Sequence, residues 1–531
     1  MSSADLSFGD RVIAAALALV FLLLALSSLG KWCYWGDDYA AYISEGIAIA
    51  EGTLDEQTRL NALMHPSPLP EGTDGSLVYV WGYPLLMSLV YRAVGFDRAD
   101  YSTLVYYKLP SALSLALIAA VLFLFLRRRF GKKLSLLLTV AFCSCAEFYG
   151  FINSLYSDLV FLLLALMSLW LAELFEDEIF LRKKIPLALA LGVLLTLTCE
   201  TRLNGPAILL ACAVLQLVSF IKEKKYRRFS LLLIELIPYA VFIVLKLLTE
   251  RLIACPTSNS GDLGSFESAV LFANLRTYAQ LIMSFFGLLW NNLLISPLYS
   301  VLRRFVSVSF DDLTIVKTAL IWLSAALCVL GVITNGIKRN LHLTLLCVVY
   351  IIVASLLPYT QGLRYIYPLL PVLVMFCGYG IRFIGRGRTN ERFILSIAFL
   401  WSLVCLYPAY TNAAAAKSGE ALRDVPIVNI EDIYMQNAYS DAAVEVYGYI
   451  QNETEPECTV AFFAPRGLYL NTERFSIKPD VNGHSIDEAD YYLDYLKTGE
   501  YDLSPDLKED FELVFSNEEF ILYQRTAGEQ G

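Results

Sequence analysis

Histidine is almost missing from this chain, paired cysteine motifs are missing altogether, and charge is sparse. Three histidines occur in 531 residues, and none of the eleven cysteines forms a CxxC. A cysteine zinc site is therefore excluded as an expectation, and no required disulfide is predicted. Cys143, Cys145, Cys212, Cys328 and Cys347 fall in apolar runs, where a thiol behaves as a small hydrophobe. Cys33, Cys255 and Cys458 fall in segments expected outside the membrane, and nothing in the sequence pairs them. Only 17% of residues are charged, with a net charge of -10, which argues against a nucleic-acid partner. No convincing small-residue cleavage site follows the first apolar run, so a signal peptide does not account for it. No internal repeat is visible, which weighs against a transporter built from paired repeats.

Apolar residues are abundant. They make up 57% of the chain, and the mean hydropathy is +0.55. A soluble domain cannot hide that much apolar surface, so a polytopic membrane protein is expected. A spanning helix needs about 20 apolar residues. Residues 12–29 and 109–126 meet this, and the second run ends in Arg127-Arg128-Arg129-Phe130-Gly131-Lys132-Lys133. Such a cluster belongs in the cytoplasm, which places the N-terminus inside and residues 31–108 in a large outside loop. In that loop, residues 39–51 place Ala40, Ile43, Ile47 and Ala50 at helical spacing, with Glu45 and Glu51 elsewhere, as an interfacial helix would. Residues 83–94 are a second short apolar helix, and the prolines of 65–70 forbid helix between them.

Further spans are expected at 134–151, 159–175, 185–199, 206–221, 229–248, 315–333, 341–357, 366–384 and 393–410. The run 281–295 is apolar, but a lone crossing there would put the basic stretch 382–392 outside. A re-entrant or interfacial segment, or a coupled pair of crossings within 249–317, is expected instead. The total is about 11 helices, or about 13 with the pair. Either count places the C-terminus outside. From residue 411 the composition changes, with a helix expected at 439–451 and a strand at 459–463. A hairpin is expected from 511–515 and 520–524 around Ser516-Asn517-Glu518-Glu519. Two regions follow: a membrane domain, 1–410, and a small extracytoplasmic α/β domain, 411–531.

The candidate chemistry gathers at the expected outer surface. Asp37 and Asp38 stand together after the first span. Acids there cap a following helix, or one acts as a general base while its neighbour orients it or holds a cation. Asp158 begins a later span and admits the same two readings. Glu147 lies within an apolar run, where an ionisable group is costly and either suggests function or is paired or near the interface. Lys108, Arg202 and Arg364 are the cationic candidates, and the two arginines sit in short outside loops at helix ends, against the positive-inside bias. They either snorkel to headgroups or bind a lipid phosphate, whose oxygens an arginine fork matches. His65 is either an ordinary loop residue or a contact to substrate or metal. Trp81 and Tyr83, in Trp81-Gly82-Tyr83-Pro84, could offer rings to a sugar, although such rings also gather at membrane interfaces.

These features together resemble the GT-C superfamily of membrane glycosyltransferases, which includes protein O-mannosyltransferases and the aminoarabinose transferase of lipid A. The resemblance rests on Gly36-Asp37-Asp38-Tyr39 after the first span, the long outside loop with its two short helices, the Tyr83-Pro84 element, Asp158, Arg364-Tyr365-Ile366-Tyr367-Pro368, and the soluble C-terminal region. It implies a GT-C-like membrane domain of about 11–13 helices. It also implies transfer of a sugar from a polyprenyl-phosphate donor to a glycan, lipid or protein acceptor on the outer face of the plasma membrane, with inversion. Asp37 matches the family base, Asp38 the second acid of the pair, and Asp158 an acid that assists or binds metal in some branches. Arg202, Arg364 and Tyr365 fall to the substrate, with Lys108, His65, Trp81 and Tyr83. The sequence has Asp37-Asp38 in place of Asp-x-Asp, so no cofactor is certain, and a divalent cation on Asp38 and Asp158 stays a candidate. It lacks the Lys-Pro-Pro element of the aminoarabinose branch, so that acceptor is not implied. Two other classes stay open: a transporter or flippase of a lipid-linked or polar solute, and a non-catalytic binding protein that captures partners through 411–531.

Overall fold

The computed structural model of the chain describes residues 6–35, 38–64, 77–99, 101–223, 229–252, 268–295, 314–356, 362–385, 396, 406–417, 437–479, 486–496 and 510–526. Asp37, His65 and His484 lie outside the described residues. The membrane part begins with α1 (Phe8–Ser27), opened by a capping box in which Ser7 and Asp10 bond each other's backbone N–H. Asp10 also meets Arg127 at 2.9 Å, which ties α1 to the end of α6 (Leu109–Arg127). Between them come α2 (Asp38–Glu51), α3 (Leu54–Leu63), α4 (Gly82–Val94) and the single turn α5 (Leu104–Tyr107). Residues 31–108 thus carry the two expected short helices, and α3 in addition. Proline-free but polar, α3 has no clean apolar stripe to betray it in the sequence.

Expected span 134–151 is a broken one. It forms α7 (Lys132–Cys143) and α8 (Ala146–Asn153), bent by 47°. The carbonyls freed at the break find new donors: Tyr149 Oη donates to Cys143 O at 3.2 Å, and Asn412 Nδ2 to Ser144 O at 3.0 Å. Glu147 falls in the first turn of α8 and is fully buried. The chain continues through α9 (Asp158–Asp177), α10 (Leu181–Thr201), α11 (Gly205–Lys222), α12 (Phe229–Leu252), α13 (Ser268–Trp290), α14 (Thr314–Gly331), α15 (Leu341–Ser355), α16 (Leu370–Gly385) and α17 (Leu406–Lys417).

Among the described residues, eight helices are long and apolar enough to cross a membrane, and the bent pair makes a ninth. Leu341–Ser355 is apolar but shorter. Most of 393–405 lies outside the described residues. The run 281–295, expected as a re-entrant or interfacial segment or part of a coupled pair of crossings, forms the end of a 23-residue helix, α13, about 35 Å long at 1.5 Å per residue, and a π-helical turn, Asn291–Ile295, that follows it. The first turns of α13 carry Asn274 and Arg276, which hide them from a hydropathy reading; Asn274 Nδ2 is satisfied by Ser355 O at 3.1 Å. A second crossing before Thr314 would fall outside the described residues.

The C-terminal region has α18 (Asp441–Glu453), close to the expected 439–451, and α19 (Pro465–Thr472). Its strands are β1 (Thr459–Ala461), β2 (Phe475–Ile477), β3 (Tyr491–Tyr495), β4 (Phe511–Ser516) and β5 (Phe520–Arg525). They form one sheet in the order β2-β1-β3-β5-β4. β1 runs parallel to β2 and β3, and the expected hairpin β4–β5 continues it antiparallel. The core of this sheet does not stop at its own edge. Trp35, Tyr39, Tyr83 and Tyr107 of the N-terminal loop share one buried cluster with Tyr447, Phe462, Leu493 and Phe520.

Candidate active site

Four separate stretches bring their charged side chains to one place. Asp38 opens α2, Asp158 opens α9, Arg202 follows α10, and Arg364 sits in a 3-10 turn, Leu363–Leu369, before α16. Backbone geometry helps place them. Leu155 is held at φ 57°, an uncommon state for a residue with a Cβ, and the tight corner it makes delivers Tyr156, Ser157 and Asp158 together. Gly362, at φ 75°, starts the turn that carries Arg364.

Two ion pairs result. Arg364 Nη2 donates to Asp38 Oδ2 at 3.0 Å, and Arg202 Nη1 lies 2.7 Å from Asp158 Oδ1. The rings of Tyr365 and Tyr156 hold the guanidinium groups. Arg202 lies 5.2 Å and Arg364 5.7 Å from the Tyr365 centroid, and Arg364 lies 4.6 Å from that of Tyr156. Asp38 is half-buried and Asp158 fully buried. Burial pushes the Asp38 carboxyl up, but Arg364 and the hydroxyl of Tyr79, which donates to Oδ1 at 2.5 Å, outweigh it. The result lies below the usual carboxylate value.

A layer of tyrosines lies behind Asp38. Tyr42 stacks on Tyr79 at 4.3 Å and meets Tyr83 edge-on at 4.7 Å, and its hydroxyl pairs with Ser157 Oγ at 3.0 Å. Arg202 Nη1 also reaches Ser157 Oγ, at 3.4 Å. Tyr42 is thus the bridge from α2 to the Asp158 side. Glu45 completes the face. It lies off the apolar stripe of α2 and is fully buried. Its Oε1 accepts from Val78 N at 2.6 Å and Asn61 Nδ2 at 3.1 Å. Asp38, Tyr42 and Glu45 are spaced i, i+4, i+7, one face of α2. That spacing was available in the sequence and could have singled out Tyr42 and Glu45. Tyr79 and Tyr156 carried no such signal.

The remaining candidates divide. Tyr83 is buried beneath Tyr42, and Trp81 is half-buried just before α4. Glu147 is not among the groups paired at the site. Lys108, expected beside a lipid phosphate, is fully buried, and its ammonium donates to Gly30 O at 2.6 Å, Trp32 O at 2.5 Å and Asn153 Oδ1 at 3.2 Å. All three of its N–H groups are used, so it pins the chain between α1 and α2 and has none left for a phosphate. Among the described residues, no group of three or more His, Cys, Asp or Glu side chains could hold a metal ion. Asp38 and Asp158 each face an arginine, which fits poorly with a shared divalent cation. Next to Arg202, a cavity of about 190 Å³ opens between α11 and α15, lined by Leu203, Pro206, Ala207, Leu210, Val349 and Val353.

No protein-family model matches the sequence, and no curated protein matches it. Solved structures do. ArnT from Cupriavidus metallidurans bound to undecaprenyl phosphate is 12% identical, with a TM-score of 0.58 and 99% of each chain covered. The apo form of the same protein is 12% identical, with a TM-score of 0.59 and 98% of each chain covered. An oligosaccharyltransferase from Archaeoglobus fulgidus, in complex with Zn and sulfate, is 13% identical. It has a TM-score of 0.49, with 97% of this chain and 73% of that one covered. From its first membrane helix to its C-terminal sheet, this chain has the GT-C-like fold, as the order of its acidic and basic motifs implied.

Proposed function

We propose that the protein is a glycosyltransferase that moves a sugar from a polyprenyl-phosphate carrier to an acceptor on the extracytoplasmic face of the membrane, with inversion. The observation that carries this reading is the convergence of Asp38, Asp158, Arg202 and Arg364 from four elements around the Tyr365 ring, beside an apolar cavity. ArnT, the GT-C neighbour that covers nearly the whole chain, binds undecaprenyl phosphate, which supports the same kind of carrier here.

In the proposed reaction, Arg202 and Arg364 bind the donor phosphate, and the isoprenoid lies along the apolar wall near Arg202. Asp37, next to Asp38, takes the proton of the acceptor hydroxyl as its oxygen attacks the anomeric carbon. The bond from that carbon to the phosphate oxygen breaks, and its electron pair leaves with the polyprenyl phosphate. The leaving group gains one negative charge, which the two guanidinium groups stabilise more strongly than they do the intact donor. Asp38 orients its neighbour, and Asp158 keeps Arg202 in place between turnovers. No step is assigned to a metal.

Mass spectrometry of lipid-linked sugars and surface glycans, with and without the gene, tests the assignment. The expected result is accumulation of one sugar-phosphate lipid together with loss of that sugar from a surface acceptor. Solute flux with the donor lipid intact would favour a transporter. Unaltered lipids, with partners captured through 411–531, would favour a binding protein.

A further inference from the structure

The segment that joins α1 to α2 is clamped from both sides just before it reaches the acidic pair. On the membrane side, Lys108 holds the carbonyls of Gly30 and Trp32. Asn153 accepts the Gly30 N–H at 3.1 Å and donates to Ser28 O at 2.8 Å. On the outer side, the C-terminal region takes hold. Tyr34 bridges to Asn437 as an antiparallel β-pair, Ala438 N donates to Cys33 O at 2.7 Å, and Cys33 N donates to Asn437 Oδ1 at 3.2 Å. Trp35 is then completely buried in a box of Tyr447, Phe462, Phe463, Tyr495 and Phe520, with ring centroids 5.3–6.2 Å away.

Trp35 stands three residues before Asp38, and every ring of its box belongs to the C-terminal domain. We propose that Trp35 is a positioning residue, and that docking of the C-terminal domain onto it sets where α2 begins and where its acid stands. The domain is on this account part of the active site's framework and not an appended recruiter of partners. A side chain of this size, enclosed by five rings, adds buried area and aromatic pair contacts to the hydrogen bonds that already hold its backbone. A shift of about 1 Å in a reacting group can cost on the order of 10²-fold in rate. The inference rests on the proposed transferase reading, and it separates binding from chemistry: the arginines that would hold the donor phosphate lie in other elements, and although Arg364 meets Asp38, the rings of Tyr156 and Tyr365 hold both guanidinium groups independently of the clamp.

The test uses the full-length protein in lipid nanodiscs. Wild type, Trp35→Ala and Trp35→Phe are compared for undecaprenyl phosphate binding, for kcat, and for amide hydrogen exchange over residues 28–45. Trp35→Ala is expected to lower kcat by about tenfold or more while affinity for undecaprenyl phosphate stays within about twofold. Exchange should accelerate over 28–45 and stay unchanged in the spans, and Trp35→Phe should recover most of the lost rate. An unchanged kcat despite faster exchange overturns the proposal, as does a parallel loss of binding and rate that Trp35→Phe fails to restore. If Trp35→Ala does not insert, Asn437→Ala removes the Cys33 bond with a smaller change and is read in the same way. Wild-type protein without turnover on any lipid-linked sugar refutes the transferase reading; the exchange pattern still decides whether the domain sets the start of α2.

Discussion

Glu45 shows how far burial can alter one residue. Desolvation pushes its carboxyl up to about 8, against the opposing pull of the Val78 N–H, Arg466, Asn61 and the Tyr79 N–H. The unfolded chain gives up this proton near the ordinary glutamate value of 4.5, while the folded protein keeps it to about 8. Folding therefore takes up a proton between those values. The stability tied to this group is full at the acid end of the window and is lost as pH rises through its folded pKa. Thermal unfolding in detergent should occur at a lower temperature near pH 8.5 than near pH 5, and Glu45→Gln should reduce that difference. The amide is neutral at every pH and keeps the carbonyl that accepts from Val78 and Asn61. Equal pH sensitivity in the variant would show that Glu45 is ionised in the fold. Asp38, on the same face of α2, goes the other way because a guanidinium and a phenol reach it. The two acids differ through partners distant in sequence, and for that reason the sequence does not distinguish them.

At the scale of elements, close backbone approaches place the tyrosine layer. A Cβ at Gly82 would stand 2.4 Å from Glu200 O, so the start of α4 rests directly on the end of α10, one residue before Tyr83 and two before Arg202. A Cβ at Gly46 would meet Met87 Cβ at 2.7 Å, which presses α2 onto α4. Gly82→Ala must therefore push α4 from α10. It is expected to lower the unfolding temperature and cost on the order of 1–3 kcal/mol, as overpacking does; unfolding at the wild-type temperature would contradict this contact. Apolar periodicity and proline rules predicted α2 and α4 almost to the residue, as they did the β4–β5 hairpin. They did not predict α19, β2 or β3, whose short segments carry no periodic signal of their own. The break between α7 and α8 was hidden because Tyr149 and Asn412 satisfy it through contacts that hydropathy does not register. Of the site, the acids and arginines were readable because charge at a helix end in so apolar a chain stands out. Lys108 stood out in the same way, yet its partners are backbone carbonyls.

For the whole molecule, the proposed function requires one topological condition: the four charged groups and the C-terminal sheet must share the outer face. Ile179 and Glu453 are exposed, the first between α9 and α10 and the second at the end of α18. In intact cells, a membrane-impermeant thiol reagent should label Glu453→Cys and leave Ile179→Cys unlabelled until the cells are opened. Labelling of both or the reverse pattern would put the acids on a face where the carrier-lipid argument no longer applies. A joint core ties residues of the N-terminal loop to the C-terminal sheet. That continuity depends on contacts between residues some 400 positions apart, such as the hydrogen bond from Cys33 N to Asn437 Oδ1. A reading confined to local pattern separates them into two domains.

The most direct measurement is release of polyprenyl phosphate from a sugar-phosphate lipid by the purified full-length protein, with its matched acceptor, for wild type and Asp37→Asn. The account predicts stoichiometric release and sugar transfer by the wild type. For Asp37→Asn it predicts a rate lower by at least about 10²-fold, with undecaprenyl phosphate still bound. Transfer at the wild-type rate by Asp37→Asn would contradict it.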